Sequence, residues 1–157
     1  MPDLPSLRYF EDFQPGLSIE TGEKWIGPEE IIAFARDYDP QPIHTDEAYA
    51  ATTPFKSVIG SGIHMMGIAM ALAVNTVLHG SAAVASPGAE TLRFMAPLKA
   101  GTTVRGRLRI LGSTPSGSRA DRGSVSMSFE LFDGETQLLE WVAIGIFLRD
   151  PTRTAAA

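Results

Sequence analysis

An aspartate and a histidine close the short run Asp39-Pro40-Gln41-Pro42-Ile43-His44, and no other pair in the chain is better placed for chemistry. A carboxylate and an imidazole together offer an acid and a base near neutral pH, which is what moving a proton to or from a substrate requires. The two prolines stiffen the spacing. Each fixes its own φ and pushes the residue before it out of the α region, so the run is expected to be an irregular loop with a polar residue at each end. Asp37 and Asp39 also fall at the negative end of the helix expected before them, which is unfavourable by about 0.3–1 kcal/mol each. Local conflicts of this kind gather at functional sites. The same residues fit a proline-stopped helix followed by a solvated loop, and the pattern alone leaves both readings open.

A second candidate lies at Gly60-Ser61-Gly62, just ahead of a long apolar segment. Glycine at a helix N-terminus exposes backbone N–H groups that can hold a developing oxyanion. Glycines also permit tight helix–sheet packing, and both roles can hold at once. Other chemistries find little support. There is no Gly-rich phosphate loop before a helix, no Gly-x-Ser-x-Gly elbow and no cysteine. Asp37, Asp39, His44 and Asp46 lack a second nearby histidine or a thiolate, which makes them a poor metal set.

Several elements must position these residues. Residues 1–17 read as an extended lead-in, with a Pro15-Gly16 turn before a strand over about 18–26. Gly27-Pro28-Glu29-Glu30 starts a helix, with proline at its first position and acids at the positive end of the dipole. Ile31, Phe34, Ala35 and Tyr38 supply its apolar stripe. Thr45 is expected to cap a short turn over 46–51, ahead of a loop at 52–57. Residues 62–78 are helix formers that are apolar all round, so the segment should be buried on nearly every side. A sheet must then wrap around it. Strands are expected over 89–96, 102–111, 124–132 and 136–148, with a hairpin turn at Asp133-Gly134. The polar loop 112–123 should be mobile. The last strand is apolar on both faces, which points to a second subunit against its outer face.

Composition agrees with one soluble α+β domain over 1–157. The 157 residues hold 13 Lys+Arg against 18 Asp+Glu, a net charge of −5. An anionic chain without a basic block is a poor binder of nucleic acid or anionic lipid. The longest apolar run, 65–74, is too short for the ~20 residues of a membrane span, and the N-terminus has no secretory core, so a cytoplasmic location is expected. The trailing Thr-Ala-Ala-Ala reads as a frayed end.

The run ARDYDPQPIHTDEAYA (35–50) resembles the hydratase signature of the MaoC-like acyl dehydratase family, Asp-x-(Asn/Gln)-Pro-x-His followed by an acid two residues on. Gly62 stands at the matching glycine, eighteen residues after His44. Pro87-Gly88 and LRFMAPLKAGTTV (92–104) resemble the family's next strand, turn and following strand, and the likeness runs over residues 9–148. The resemblance implies a hotdog fold, an antiparallel sheet wrapped around a long central helix. It implies (R)-type hydration of trans-2-enoyl-CoA thioesters, or the reverse dehydration, with no cofactor. Asp39 and His44 become the catalytic pair and the Gly62 N–H the oxyanion donor. Gln41, Ser61, Ile63 and Met66 are expected to line the acyl-CoA site, and the chain to work as a homodimer or higher oligomer. Gln41 in place of asparagine keeps the amide. One departure stands out: Met70 occupies the position, eight residues past the glycine, where better-known short-chain relatives carry serine.

Other residues have blander readings. His64 is expected to be a packed histidine close to the site, and His79 a cation past the helix end. Arg105, Arg107 and Arg109 share one strand face, either solvated or facing phosphates of a CoA-like ligand. Met65, Met66 and Met70 belong to the core or to an acyl pocket. Two other functions remain open on the same fold, a thioesterase that would release free thiol and a non-catalytic acyl-binding module.

Overall fold

The structure is a computed structural model that describes residues 8–154. Most of the lead-in ahead of Arg8, and the final three alanines, lie outside the described residues. After a 3-10 turn at Phe10–Asp12 come β1 (Ser18–Ile26), α1 (Pro28–Tyr38), α2 (Pro42–Thr45), α3 (Glu47–Thr52), β2 (Ile59–Gly60) and α4 (Gly62–Ala73). A π-turn at Val74–Leu78 ends α4; β3 (Ala83–Phe94), β4 (Leu98–Lys99), β5 (Thr102–Pro115), β6 (Arg122–Asp133), β7 (Thr136–Leu148) and α5 (Pro151–Thr154) follow.

Five strands form one antiparallel sheet in the order β1-β5-β6-β7-β3, and α4 lies across its concave face. The alternation in β6 shows why. Val125, Met127, Phe129 and Leu131 are buried toward the helix, with Leu108, Ile110 and Ala143 beside them. The outer face carries Ser128 and Glu130, and these are buried too. Glu130 takes Arg107 Nε at 2.7 Å and Arg109 at 3.3 Å, and the two arginine side chains cover it. Arg105 pairs with Glu20 at 2.9 Å, and the guanidinium groups of Arg105 and Arg107 lie over the Phe132 ring. The arginine row thus faces carboxylates of its own sheet.

Several expectations shift. The central segment is not buried on all sides, because Ile63, Gly67 and Ala71 form an exposed stripe while His64, Met65, Ile68, Ala69 and Leu72 are buried. Its regular α-helix stops at Ala73. Val74, Thr76 and Val77 are β-branched, Thr76 Oγ1 donates to the Leu72 carbonyl at 2.8 Å, and the last turn widens into the π form. β3 starts at Ala83, before Pro87, which an edge strand tolerates because its free edge needs no N–H donor. Hairpin pairing between β5 and β6 runs out to Pro115 opposite Gly123, so the polar loop is shorter than the 112–123 expected. The tight turn after Asp133 forms as expected, with Gly134 at φ +55°. Among the described residues no helix is long and apolar enough to cross a membrane.

Candidate active site

α1 ends where Pro40 requires it. Asp39 is the residue after the last helical turn, with its N–H on the Ala35 carbonyl, and so its side chain leaves the helix end toward the next segment. That segment is less irregular than its prolines suggest. Pro42 takes the first position of a one-turn helix, where a fixed φ and a missing N–H cost nothing, and the turn carries His44 into the protein. Thr45 closes this turn, and the cap of α3 is Asp46, whose Oδ1 accepts from Tyr49 N at 2.9 Å. The acid of the sequence signature therefore serves as a helix cap.

His44 Nε2 lies 3.5 Å from Asp39 Oδ2, with the two side chains only 10% and 21% exposed. The other ring nitrogen, Nδ1, is 2.7 Å from the carbonyl oxygen of Ile59. A carbonyl only accepts, so Nδ1 carries a proton and the neutral ring presents a lone pair at Nε2 toward Asp39. Gln41 Nε2 donates to Asp39 Oδ1 at 2.7 Å. That bond fixes the carboxylate and leaves Oδ2 for the histidine side. Two acceptors therefore face one another at a separation suited to a shared donor.

Ile59 belongs to β2, and three residues later α4 begins. Ser61 caps it, its Oγ accepting from His64 N at 3.2 Å and its carbonyl from Met65 N at 3.1 Å. Gly62 and Ile63 hold the first two helical positions, whose N–H groups have no intrahelical acceptor. A side chain on residue 62 would run into the Phe94 ring, and one on residue 60 into Leu98, so β3 and β4 lie hard against this helix start. Ile63 is exposed and Met66 half-buried beside it. The structure thus brings Asp39, Gln41 and His44 together and tethers them to the strand that leads into Gly62. Ser61 is placed as the helix cap.

Two residues received too little weight in the sequence. Ile59 is legible there only as a hydrophobic, because its contribution is a backbone carbonyl. Phe94 reads as an ordinary strand residue until the sheet curves it over Gly62. His64 is packed as expected, stacked on Phe34 with ring centroids 4.4 Å apart and Nε2 3.2 Å from Glu30 Oε1. Burial lowers its pKa, with Glu30 opposing and Lys24 reinforcing the shift. His79 is exposed just beyond the π-turn. Among the described residues no three His, Cys, Asp or Glu side chains gather where a metal ion could sit.

The sequence model of the MaoC like domain matches residues 12–127, a span that contains Asp39, His44 and Gly62. The chain belongs to this family. A curated relative, 3-hydroxybutyryl-CoA dehydratase of Methylorubrum extorquens, is 37% identical over 120 residues, 74% of each chain. The (R)-specific enoyl-CoA hydratase of Rhodospirillum rubrum is 36% identical over 110 residues, 69% of this chain and 74% of its own. Among solved structures, a MaoC-like dehydratase from Rhodospirillum rubrum superposes with a TM-score of 0.82 at 28% identity, covering 91% of this chain and 98% of that one. The R-hydratase of Pseudomonas aeruginosa gives 0.72 at 26% identity, over 90% and 86%. The antiparallel sheet wrapped on α4 is the hotdog fold of these MaoC-like neighbours.

Proposed function

We propose that this MaoC-like chain is a lyase that adds water across the C2=C3 bond of a trans-2-enoyl-CoA thioester, or removes it from the 3-hydroxyacyl-CoA. The observation that carries this reading is the facing of two acceptors, Asp39 Oδ2 and His44 Nε2, 3.5 Å apart beside the start of α4. A water molecule offers two hydrogens to two such acceptors. As its oxygen bonds to C3, one of the pair takes a proton and the π electrons move onto the thioester oxygen. The N–H of Gly62, at the positive end of α4, holds that enolate charge. Return of the proton to C2 completes the addition, and the pair ends as it began. No net proton, electron or co-reactant is needed beyond water. Gln41 keeps Asp39 turned toward the water, while Ile63 and Met66, on the exposed flank of the same helix start, are offered to the substrate. The two relatives with hydratase and dehydratase names support the reaction class.

The test is hydration of crotonyl-CoA and a panel of longer and branched enoyl-CoAs by wild type, Asp39→Asn and His44→Ala, with free thiol followed in parallel. Each variant is expected to lose about 10²–10⁴-fold in kcat while keeping its fold, the usual contribution of a positioned acid or base. Release of thiol without hydration would replace this reading with thioester hydrolysis. Tight acyl-CoA binding without turnover would make the chain a binding module.

A further inference from the structure

Gly62, Met66 and Met70 succeed one another at i, i+4 and i+8 and share one face of α4. At 1.5 Å per residue Met70 lies about 12 Å beyond Gly62 along the helix. There it lines a cavity of about 200 Å³ with Leu78, Met127, Phe129, Trp141 and Phe147. The sheet leads to the same place. Phe94, which covers Gly62, pairs with Leu139, and Leu92 pairs with Trp141. Trp141 therefore stands one pleat, about 7 Å, beyond the row that covers Gly62.

The cavity is apolar except at two side chains. Ser86, at the β3 side, donates to the Ile144 carbonyl at 2.8 Å and is satisfied. Trp141 is not. Its ring stacks on Phe129 with centroids 5.0 Å apart, and its Nε1–H is buried without an acceptor among the described residues. A buried donor left unpaired is costly, and native proteins rarely keep one without a partner that arrives from elsewhere. No cationic or acidic side chain lines the cavity, so an ionised group would find no counter-charge there. What fits is a neutral group that accepts one hydrogen bond. At about 30 Å³ per group the space holds roughly six or seven groups of water or methylene size.

We propose that this cavity takes the distal part of the acyl chain and that Trp141 selects chains carrying a neutral acceptor oxygen there, a ketone or an ether, over all-carbon chains. The inference rests on the hydratase reading for the thioester end of the ligand. It also accounts for Met70 in place of the serine of short-chain relatives, since an apolar side chain there extends the helix face toward the cavity.

The experiment is calorimetric titration with octanoyl-CoA and with saturated thioesters of equal length in which one distal methylene at a time is replaced by a ketone. Wild type should bind the best-placed ketone at least about tenfold more tightly, the scale of satisfying a buried donor. Trp141→Phe, which keeps the aromatic ring, should abolish that preference while retaining octanoyl-CoA binding. Equal affinities at every position in wild type overturn the proposal, as happens if a resident water satisfies the indole. So does a preference that survives in Trp141→Phe. Crotonyl-CoA hydration in the same preparation separates the two claims. Hydration without ketone preference removes only the proposal about Trp141. Ketone preference without hydration keeps the cavity's specificity and removes the lyase.

Discussion

His44 donates its Nδ1–H to the carbonyl of Ile59 at 2.7 Å, and Ile59 stands three residues ahead of Gly62. One hydrogen bond thus sets the tautomer of the histidine and ties it to the strand that leads into the oxyanion donor. Proton transfer and charge stabilisation share a rigid frame, which is how positioning lowers a barrier without extra contacts. His44→Gln tests the division of labour, because an amide can still donate to Ile59 but cannot serve as a base. The variant should remain folded, with an unfolding midpoint close to wild type, and lose about 10²–10⁴-fold in kcat. A variant retaining a tenth of wild-type turnover would remove His44 from the chemistry.

Gln41 offers a cleaner distinction. Its amide is spent on Asp39 Oδ1 at 2.7 Å, which makes it a positioning residue in this geometry. Gln41→Ala should lower kcat by about 10–100-fold with KM nearly unchanged, the cost of a loosened catalytic group. Gln41→Glu should be worse, since it sets a second carboxylate against Asp39. The opposite pattern, a raised KM with kcat intact, would return Gln41 to the substrate contact that its place in the sequence signature suggests.

How much of this was legible in the residues follows from what each signal encodes. Pro28 and Pro40 bracket α1 because proline acts locally, and the bounds of that helix emerge unchanged. Pro42 acts locally too, yet its reading was reversed: the same restriction that breaks one helix begins another when it falls at the first position. The Asp39–His44 pairing was legible as a pattern of residue types. The carbonyl of Ile59 was not, since every residue carries one and only tertiary placement selects it. The exposed stripe of α4 was missed for a related reason. Ile63, Gly67 and Ala71 look like core residues in a list of hydrophobicities, and only the position of a single sheet on one side shows what is left uncovered.

His64 predicts a pH dependence of stability. Burial holds its imidazole below the ordinary 6.5; the hydrogen bond and charge of Glu30 oppose this, and Lys24 adds to it. Below 6.5 the unfolded chain therefore binds this proton more readily than the folded one. The contribution of neutral His64 is fully present above 6.5 and is lost as pH falls from there toward the lower folded value. Glu11 acts in a separate window. Its burial, which raises its pKa, is outweighed by Arg149 and the Asp150 N–H, so its contribution is lost only as pH falls below 4.5. Lowering the pH from about 7.5 to about 5.5 should reduce the unfolding temperature of wild type by about 2–4 °C for each kcal/mol lost. His64→Gln should be less stable at neutral pH but flatter across that window. An equally steep profile in the variant would show that another group is responsible.

The free edge of β3 bears on both assembly and site. Twelve residues long and exposed almost throughout, it borders the sheet beside β7 and presents Val84, Leu92 and Phe94 at 48%, 43% and 50% exposure. An unpaired edge carrying large apolar side chains is a template for another strand, and a second copy of β3 would supply one. Wild type should then sediment at about twice its 16.9 kDa. Val84→Lys combined with Leu92→Lys should give a monomer, since two buried cations opposite their own copies repel. The consequence reaches Gly62, because Phe94 sits on the same strand and covers it. If pairing holds that strand in place, the monomer should lose affinity for the thioester, a raised KM exceeding any fall in kcat. A wild type that sediments at 16.9 kDa at micromolar concentration would end the dimer reading, and a fully active monomer would show that Phe94 needs no partner to hold it.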